Sequence, residues 1–209
     1  ARIMADIFYA LDILPTNKLI ETARDGLVDM YQGFTAQKTK EVFMSSMGGV
    51  LFIDEAYALH QSDGDTFGNE ATTTLLKLME DNRGKNICIA AGYPNEISMW
   101  LQTNSGLKSR FNKTIYFDDY NGNELAEIFM LKAKKDQLTL TPEADKVMRD
   151  YFNHLYENRG DDFANAREVN EYFAAVKSAQ SSRIQQVMNN ENFDSKEFTI
   201  LIEEDMLYN

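Results

Sequence analysis

Asp54 and Glu55 stand side by side at the end of VLFI, an apolar run of strand length inside GGVLFIDEAYAL. Two adjacent carboxylates in that position can do specific chemistry. One is a hard oxygen ligand of the kind Mg²⁺ takes together with substrate phosphates. The other, aimed at a water, is a general base for phosphoryl transfer to that water. The place suits the work, because open α/β sheets bind ligands in the crevice beyond the carboxyl ends of their strands. On spacing alone a plainer reading stands beside this one. Acids favour the first turn of a helix, and Asp54 and Glu55 could simply begin the next one.

The elements that must position the pair are legible as pattern. VLFID is continuously apolar, the signature of a strand covered on both faces, as in a parallel sheet. KLIETA reads as a short strand followed by a turn at Asp25-Gly26, NICIAAG as another buried strand, and KTIYFD as a third with partial alternation. Between them, TAQKTKEVFMSSM reads as a helix ended by Gly48-Gly49, and FGNEATTTLLKLMEDNR as a helix with Leu75, Leu76 and Met79 inward. ARIMADIFYALDIL places Ile3, Ile7, Ala10, Leu11 and Leu14 on one helical stripe. Alternating strands and helices predict an α/β layer with a mostly parallel sheet. After Asp118-Asp119 the character changes to three long helical patterns, with Pro142 near a helix start, and TILIEEDML reads as a last strand or a short helix. The expected organisation is an α/β unit over 1–119 and a smaller helical unit over 120–209.

Composition removes several classes of function. The 209 residues carry 33 acidic against 21 basic side chains, a formal charge of −12, with no dense basic stripe. Such a surface repels phosphate backbones, so nucleic acid is not an expected partner. Lys132, Lys134 and Lys135 in LKAKKD read as a solvated helix face. The single cysteine, Cys88, sits among apolar neighbours and reads as an inert core thiol. His60 and His154 lie far apart with no ligand spacing. No apolar run approaches the roughly 18 residues of a membrane span, and no signal peptide opens the sequence, so a cytoplasmic protein with no membrane partner is expected.

VLFIDEA resembles a Walker B motif, and GGVLFIDEAYAL is similar in particular to the AAA+ ATPases of the red-type rubisco activase (CbbX) and stage V sporulation protein K group. LVDMYQGFTAQKT resembles the first pore loop of that group, with Tyr31 as its aromatic. AAGYPNEISMWLQTNSGLKSRF resembles its sensor-1 and arginine-finger region, ending in Ser109-Arg110-Phe111. FANAREVNEYF resembles its sensor-2 helix, with Arg167 as the arginine. The resemblance covers nearly the whole chain and meets four motifs in order. It implies an AAA+ fold with a helical lid, ATP and Mg²⁺ as cofactors, and protein remodelling driven by hydrolysis. Asp54 would hold Mg²⁺, Glu55 would polarise the attacking water, and Arg110 would reach into a neighbouring subunit's site. Arg167 would touch the nucleotide of its own subunit. Tyr31 would line a central pore and grip a polypeptide substrate. The partners implied are further copies in a ring, hexameric by resemblance, and a protein substrate.

One departure bears on all of this. The sequence contains no G-x-x-x-x-G-K-[ST] segment, whose backbone N–H groups cradle phosphates and whose lysine reaches the β/γ positions. The family places that loop, and the central strand leading into it, just before a helix like ARIMADIFYALDIL. A fragment of a longer ATPase, an upstream segment outside this sequence and a shortened non-hydrolysing relative are the expected explanations. The 209 residues alone are expected to hydrolyse ATP poorly or not at all, and a gap is expected in the sheet. Tyr93 occupies the sensor-1 region, with Asn95 two residues on, so no sensor-1 residue is assigned. Lys108 stands where a second arginine is common, leaving Arg110 as the finger candidate. Two rivals remain: a non-catalytic module of the same shape docking on a partner ring, and a DNA-directed loader, which the charge opposes.

Overall fold

The computed structural model describes residues 1–31, 33–62, 64–160, 163–188 and 194–207; Gln32, beside Tyr31, lies outside the described residues. The chain divides into two compact units, Ala1–Tyr116 and Phe117–Asn209.

In the first unit, β2 (Val50–Ile53) lies between β1 (Leu19–Thr22) and β3 (Ile87–Ala90), parallel to both. Register runs from Leu19, Val50 and Ile87 at one end to Thr22, Ile53 and Ala90 at the other. Side chains alternate across a strand, and the middle strand shows it. Leu51 and Ile53 enter a core built with Leu27, Phe43, Leu75 and Trp100. Val50 enters a smaller core on the other face with Ala5 and Leu14. Helices α2 (Arg24–Leu27), α3 (Thr35–Ser45), α4 (Thr66–Asp81), α5 (Pro94–Thr103) and α6 (Ser105–Arg110) supply the first core, and α1 (Arg2–Ala10) the second. That is why VLFI is apolar on both faces.

Three expectations are corrected here. KTIYFD forms no strand; it runs as irregular chain, with Ile115 and Tyr116 exposed. A strand needs a neighbour for its backbone N–H and C=O groups. Among the described strands, β3 pairs on one edge only, with β2, and KTIYFD lies beside none of them as a ladder partner. Of the stripe Ile3, Ile7, Ala10, Leu11 and Leu14, only Leu14 is buried and the other four are exposed. The helix α1 instead rests on the sheet through Ala5 and Phe8, one turn apart, where small Ala5 permits close approach. Asp25-Gly26 is part of the short helix α2 rather than a turn, because α3 takes its carbonyls: Lys38 Nζ donates to Asp25 O and Val28 O, and Thr39 Oγ1 to Leu27 O.

Cys88 lies on β3, and burial pushes its thiol up to about 12. The thiolate is the reactive form, so a disulfide-exchange reagent at pH 8 is expected to label folded protein at least ~100-fold more slowly than protein unfolded in denaturant. Equal rates would contradict the burial.

The second unit is built from α7 (Gly122–Lys135), α8 (Pro142–Glu157) and α9 (Ala166–Val187). Their inward aromatics make the core: the Phe129 ring centroid lies 5.2 Å from Phe173 and 5.7 Å from Tyr172, and Tyr172 stacks on Tyr151 at 4.2 Å. The start of α8 falls at Pro142 as expected, behind the cap Thr141, and α7 opens on an Asn121–Glu124 capping box. TILIEEDML resolves into both of its alternatives, strand β5 (Ile200–Leu201), parallel to β4 (Thr139–Leu140), then α10 (Glu203–Met206). The Arg183 guanidinium, bound to buried Asp205 at 2.9 and 3.0 Å, ties α10 to α9.

Candidate functional site

The end of β2 delivers Asp54 and Glu55 to the carboxyl edge of the sheet. Asp54 N donates to Thr22 O of β1 at 2.8 Å, Ala91 N to Ile53 O at 2.9 Å, and Ala56 N to Ala91 O at 3.0 Å. Backbone pairing on both sides therefore fixes the chain immediately before and after the two carboxylates. Glu55 itself is left-handed, with φ 45° and ψ 47°. For a residue with a Cβ this costs on the order of 1–2 kcal/mol, and it persists because Glu55 N donates to Asp54 Oδ1 (3.1 Å) while Glu55 O accepts from Ala58 N (2.8 Å). Strain of this kind gathers at working sites. The chain then makes a single 3-10 turn, Ala56–Leu59, and the Glu55 carboxylate does not cap it. The plainer reading, in which the acids serve a helix start, thus has no bond to support it.

Both carboxylates are exposed and border an open cavity of about 870 Å³, which Tyr31, Arg24, Lys38 and Phe67 also line. Among the described residues no cation pairs with either acid. The donor set fits Mg²⁺: a hard ion that accepts one or two carboxylates and completes its shell with phosphates and water. No cluster of three or more ligating side chains occurs among the described residues, so an ion here depends on such outside ligands.

Tyr31 is 67% exposed at the rim, next to exposed Met30 and Phe34. Its N–H donates to Asp29 Oδ1 at 3.0 Å, and Asp29 N donates to Thr35 Oγ1 at the start of α3. The backbone of Tyr31 is thus tied through Asp29 to the start of α3.

Sequence reasoning missed a clamp in this unit. Arg24 reaches Asp65, 41 residues away, with Nη1–Oδ2 at 2.6 Å and Nη2–Oδ1 at 3.0 Å, and donates to Ala58 O at 2.8 Å. Asp65 also caps α4 by accepting from Gly68 N at 2.9 Å. The cap alone was legible, as an aspartate three residues before Gly68. The Arg24 hydrogen bond holds the Asp65 carboxyl down at about 2 from 3.8, against a burial that alone would raise it.

Arg110, the last residue of α6, is not among the residues lining the cavity. Its Nη2 meets Glu80 Oε2 at 3.2 Å, a carboxylate that Arg83 shares, and its Nε is buried without a partner among the described residues. In the second unit, Arg167 lies in the first turn of α9, exposed. Among the described residues no hydrogen bond or ion pair holds its guanidinium. Asn165, just before it, has φ 56° and bonds Asp119 Oδ1 at 2.8 Å. No described helix is long and apolar enough to cross a membrane.

Residues 2–119 match the family model described as ATPase family associated with various cellular activities (AAA), and residues 121–208 match the AAA lid domain. The chain is 41% identical over 185 residues to the chloroplastic ribulose bisphosphate carboxylase/oxygenase activase of Cyanidioschyzon merolae, covering 88% of this chain and 62% of that protein. It is 38% identical over 185 residues to stage V sporulation protein K of Bacillus subtilis, covering 88% of this chain and 58% of that one. It therefore spans about six tenths of the length of these relatives. A solved mutant of RuvB from Thermotoga maritima superposes with a TM-score of 0.62 at 17% identity, over 98% of this chain and 55% of that one, which is a likeness of fold. With both family models matched in order over nearly its whole length, this chain belongs to the AAA family of ATPases.

Proposed function

We propose that this chain is the hydrolytic and lid portion of an AAA+ motor that remodels a protein substrate. The observation that carries the reading is the Asp54–Glu55 pair, exposed and backbone-locked beside a cavity that Tyr31 also lines. Bound ATP with Mg²⁺ would supply the γ-phosphoryl group as electrophile. Asp54 holds the ion's side of that nucleotide. Glu55 takes the proton of an attacking water. Arg110 acts across a subunit boundary in a ring, a hexamer, where its planar guanidinium meets charge on the phosphoryl group. Arg167 senses nucleotide from the lid of its own subunit, and Tyr31 grips a polypeptide. The protein works in the cytoplasm, without nucleic acid or membrane. The reading is supported by likeness to a ribulose bisphosphate carboxylase/oxygenase activase, a protein named for acting on another protein.

A second reading has one observation in its favour, the lack of a G-x-x-x-x-G-K-[ST] segment in these residues. It makes the chain a non-catalytic module that docks on a partner ring. Titration with a fluorescent ATP analogue, with and without Mg²⁺, separates the two. In the protein as its gene encodes it, micromolar Mg²⁺-dependent binding is expected. Asp54→Asn is expected to weaken it about tenfold. The 209 residues alone are expected to bind far more weakly. Absence of binding in both would favour the docking module.

A further inference from the structure

Glu80 stands where its own helix gains nothing from it. It lies in the last turn of α4, where the partial negative charge of a helix C-terminus disfavours a carboxylate, and no basic residue shares that turn. The carboxylate reaches α6 instead. Glu80 Oε2 accepts from Arg110 Nη2 at 3.2 Å, across 30 residues of chain. Exposed Arg83, three residues on, donates to the same oxygen at 3.2 Å.

The backbone that carries Arg110 is fixed at both ends. Asn104 caps α6 by accepting from Gly106 N at 2.8 Å, Leu107 is wholly buried, and the Phe111 ring packs on Trp100 with centroids 5.5 Å apart. The guanidinium is held through both of its outer nitrogens. Nη1 donates to Gly106 O at 3.3 Å and to Ser109 Oγ at 3.2 Å, while Nη2 donates to Glu80. Nε is buried without a partner, and the second Nη2 hydrogen has no acceptor, among the described residues. The Nη1 contacts come from α6 itself, so among the described residues Glu80 is what ties the group to another helix. We propose that Glu80 is a positioning residue for Arg110. Its carboxylate fixes the plane of the guanidinium at the end of α6 and leaves the second Nη2 hydrogen for an outside anion, a phosphoryl oxygen of the nucleotide in a neighbouring subunit. A long, rotamer-rich arginine that wandered would have to be ordered each time charge developed on that group, and Glu80 supplies the order beforehand. The inference rests on the reading of Arg110 as the finger.

The test uses the protein as its gene encodes it. Glu80→Ala is expected to lower kcat about fivefold with KM for ATP within about twofold, the effect of ordering one free arginine in the transition state. Glu80→Gln keeps an acceptor oxygen and is expected to recover most of that loss. Arg83→Ala removes the other partner of the carboxylate and is expected to stay within about twofold of wild type. Emission of Trp100, the sole tryptophan, reports that the variants fold. Arg110→Ala is itself expected to lower kcat about 100-fold or more, and adding Glu80→Ala to it is expected to cost nothing further, which a merely structural role would not produce. Independently of turnover, the ¹⁵Nε–¹Hε cross-peak of Arg110, assigned by its loss in Arg110→Lys, is expected to weaken in Glu80→Ala and to persist in Arg83→Ala. Full turnover in Glu80→Ala, an undiminished loss in the Arg110→Ala background, or an unmoved cross-peak overturns the positioning role, and the proposed function stands if Arg110→Ala loses turnover. Wild-type turnover in Arg110→Ala is the separate failure, since it removes the finger on which the role depends.

Discussion

Asp65→Ala is expected to destabilise the first unit by about 3–5 kcal/mol, the cost of breaking a buried ion pair by removing one partner. The side chains are 21% exposed for Arg24 and 7% for Asp65, so the guanidinium left behind is poorly served by water. The substitution also removes the cap of α4, ordinarily about 1 kcal/mol. Gly68 shows how tightly the clamp is built, since a Cβ there would overlap Leu59 O and press on Asp65 Oδ2 and Arg24 Nη1. Asp65→Asn retains an acceptor for the cap and is expected to fall between wild type and Asp65→Ala. Trp100 is 2% exposed in the core of this unit, so its emission in a denaturant titration follows this unit's unfolding. A loss below about 1 kcal/mol would place the pair among surface bridges of little worth.

The same pair predicts a pH dependence. The carboxyl of Asp65 sits at about 2 in the folded chain against 3.8 ordinarily. Folding therefore disfavours its protonation, and the pair contributes about 2 kcal/mol that is complete above the ordinary value. The contribution drains away as pH falls from there through about 2, and it is absent in Asp65→Ala.

These residues also mark where the sequence stops being readable. VLFI declares itself, because a strand covered on both faces must be apolar at every position. Leu75 and Leu76 declare α4 by helical spacing, and Asn121, Glu124 and Pro142 declare helix starts by the backbone groups they satisfy or lack. KTIYFD misleads because its alternation speaks of a half-buried strand, while strand formation depends on a neighbour that no local pattern describes. The Ile3, Ile7 and Leu11 stripe misleads similarly, since the contact with the sheet is set by the small residue Ala5. Arg24 and Asp65 meet across 41 residues, a pairing that only the parallel sheet brings about. The carboxylates of the site were legible from their place after a buried run. The left-handed turn at Glu55 was not, for only glycine advertises that conformation.

Glu55→Gln is expected to lower ATP turnover by about 100-fold or more, the usual contribution of a positioned general base. The amide matches the carboxylate in size and keeps an acceptor oxygen, so the left-handed backbone and the 3-10 turn should survive it. What it loses is basicity: a glutamine cannot take the proton of a water attacking the γ-phosphoryl group. Mg²⁺-dependent nucleotide affinity is therefore expected to stay within about threefold, and turnover alone to fall, the pattern of an interaction made only in the transition state. Asp54→Asn should behave differently. Replacing the carboxylate proposed to hold Mg²⁺ is expected to weaken Mg²⁺-dependent binding itself, with a defect relieved in part by excess Mg²⁺, whereas that of Glu55→Gln is not. Steady-state phosphate release across a Mg²⁺ series, in the protein as its gene encodes it, measures both. If the two variants respond to Mg²⁺ alike, the division of labour between the adjacent acids is wrong. If Glu55→Gln turns over like wild type, the base lies elsewhere, and the strained backbone at Glu55 would then need another explanation.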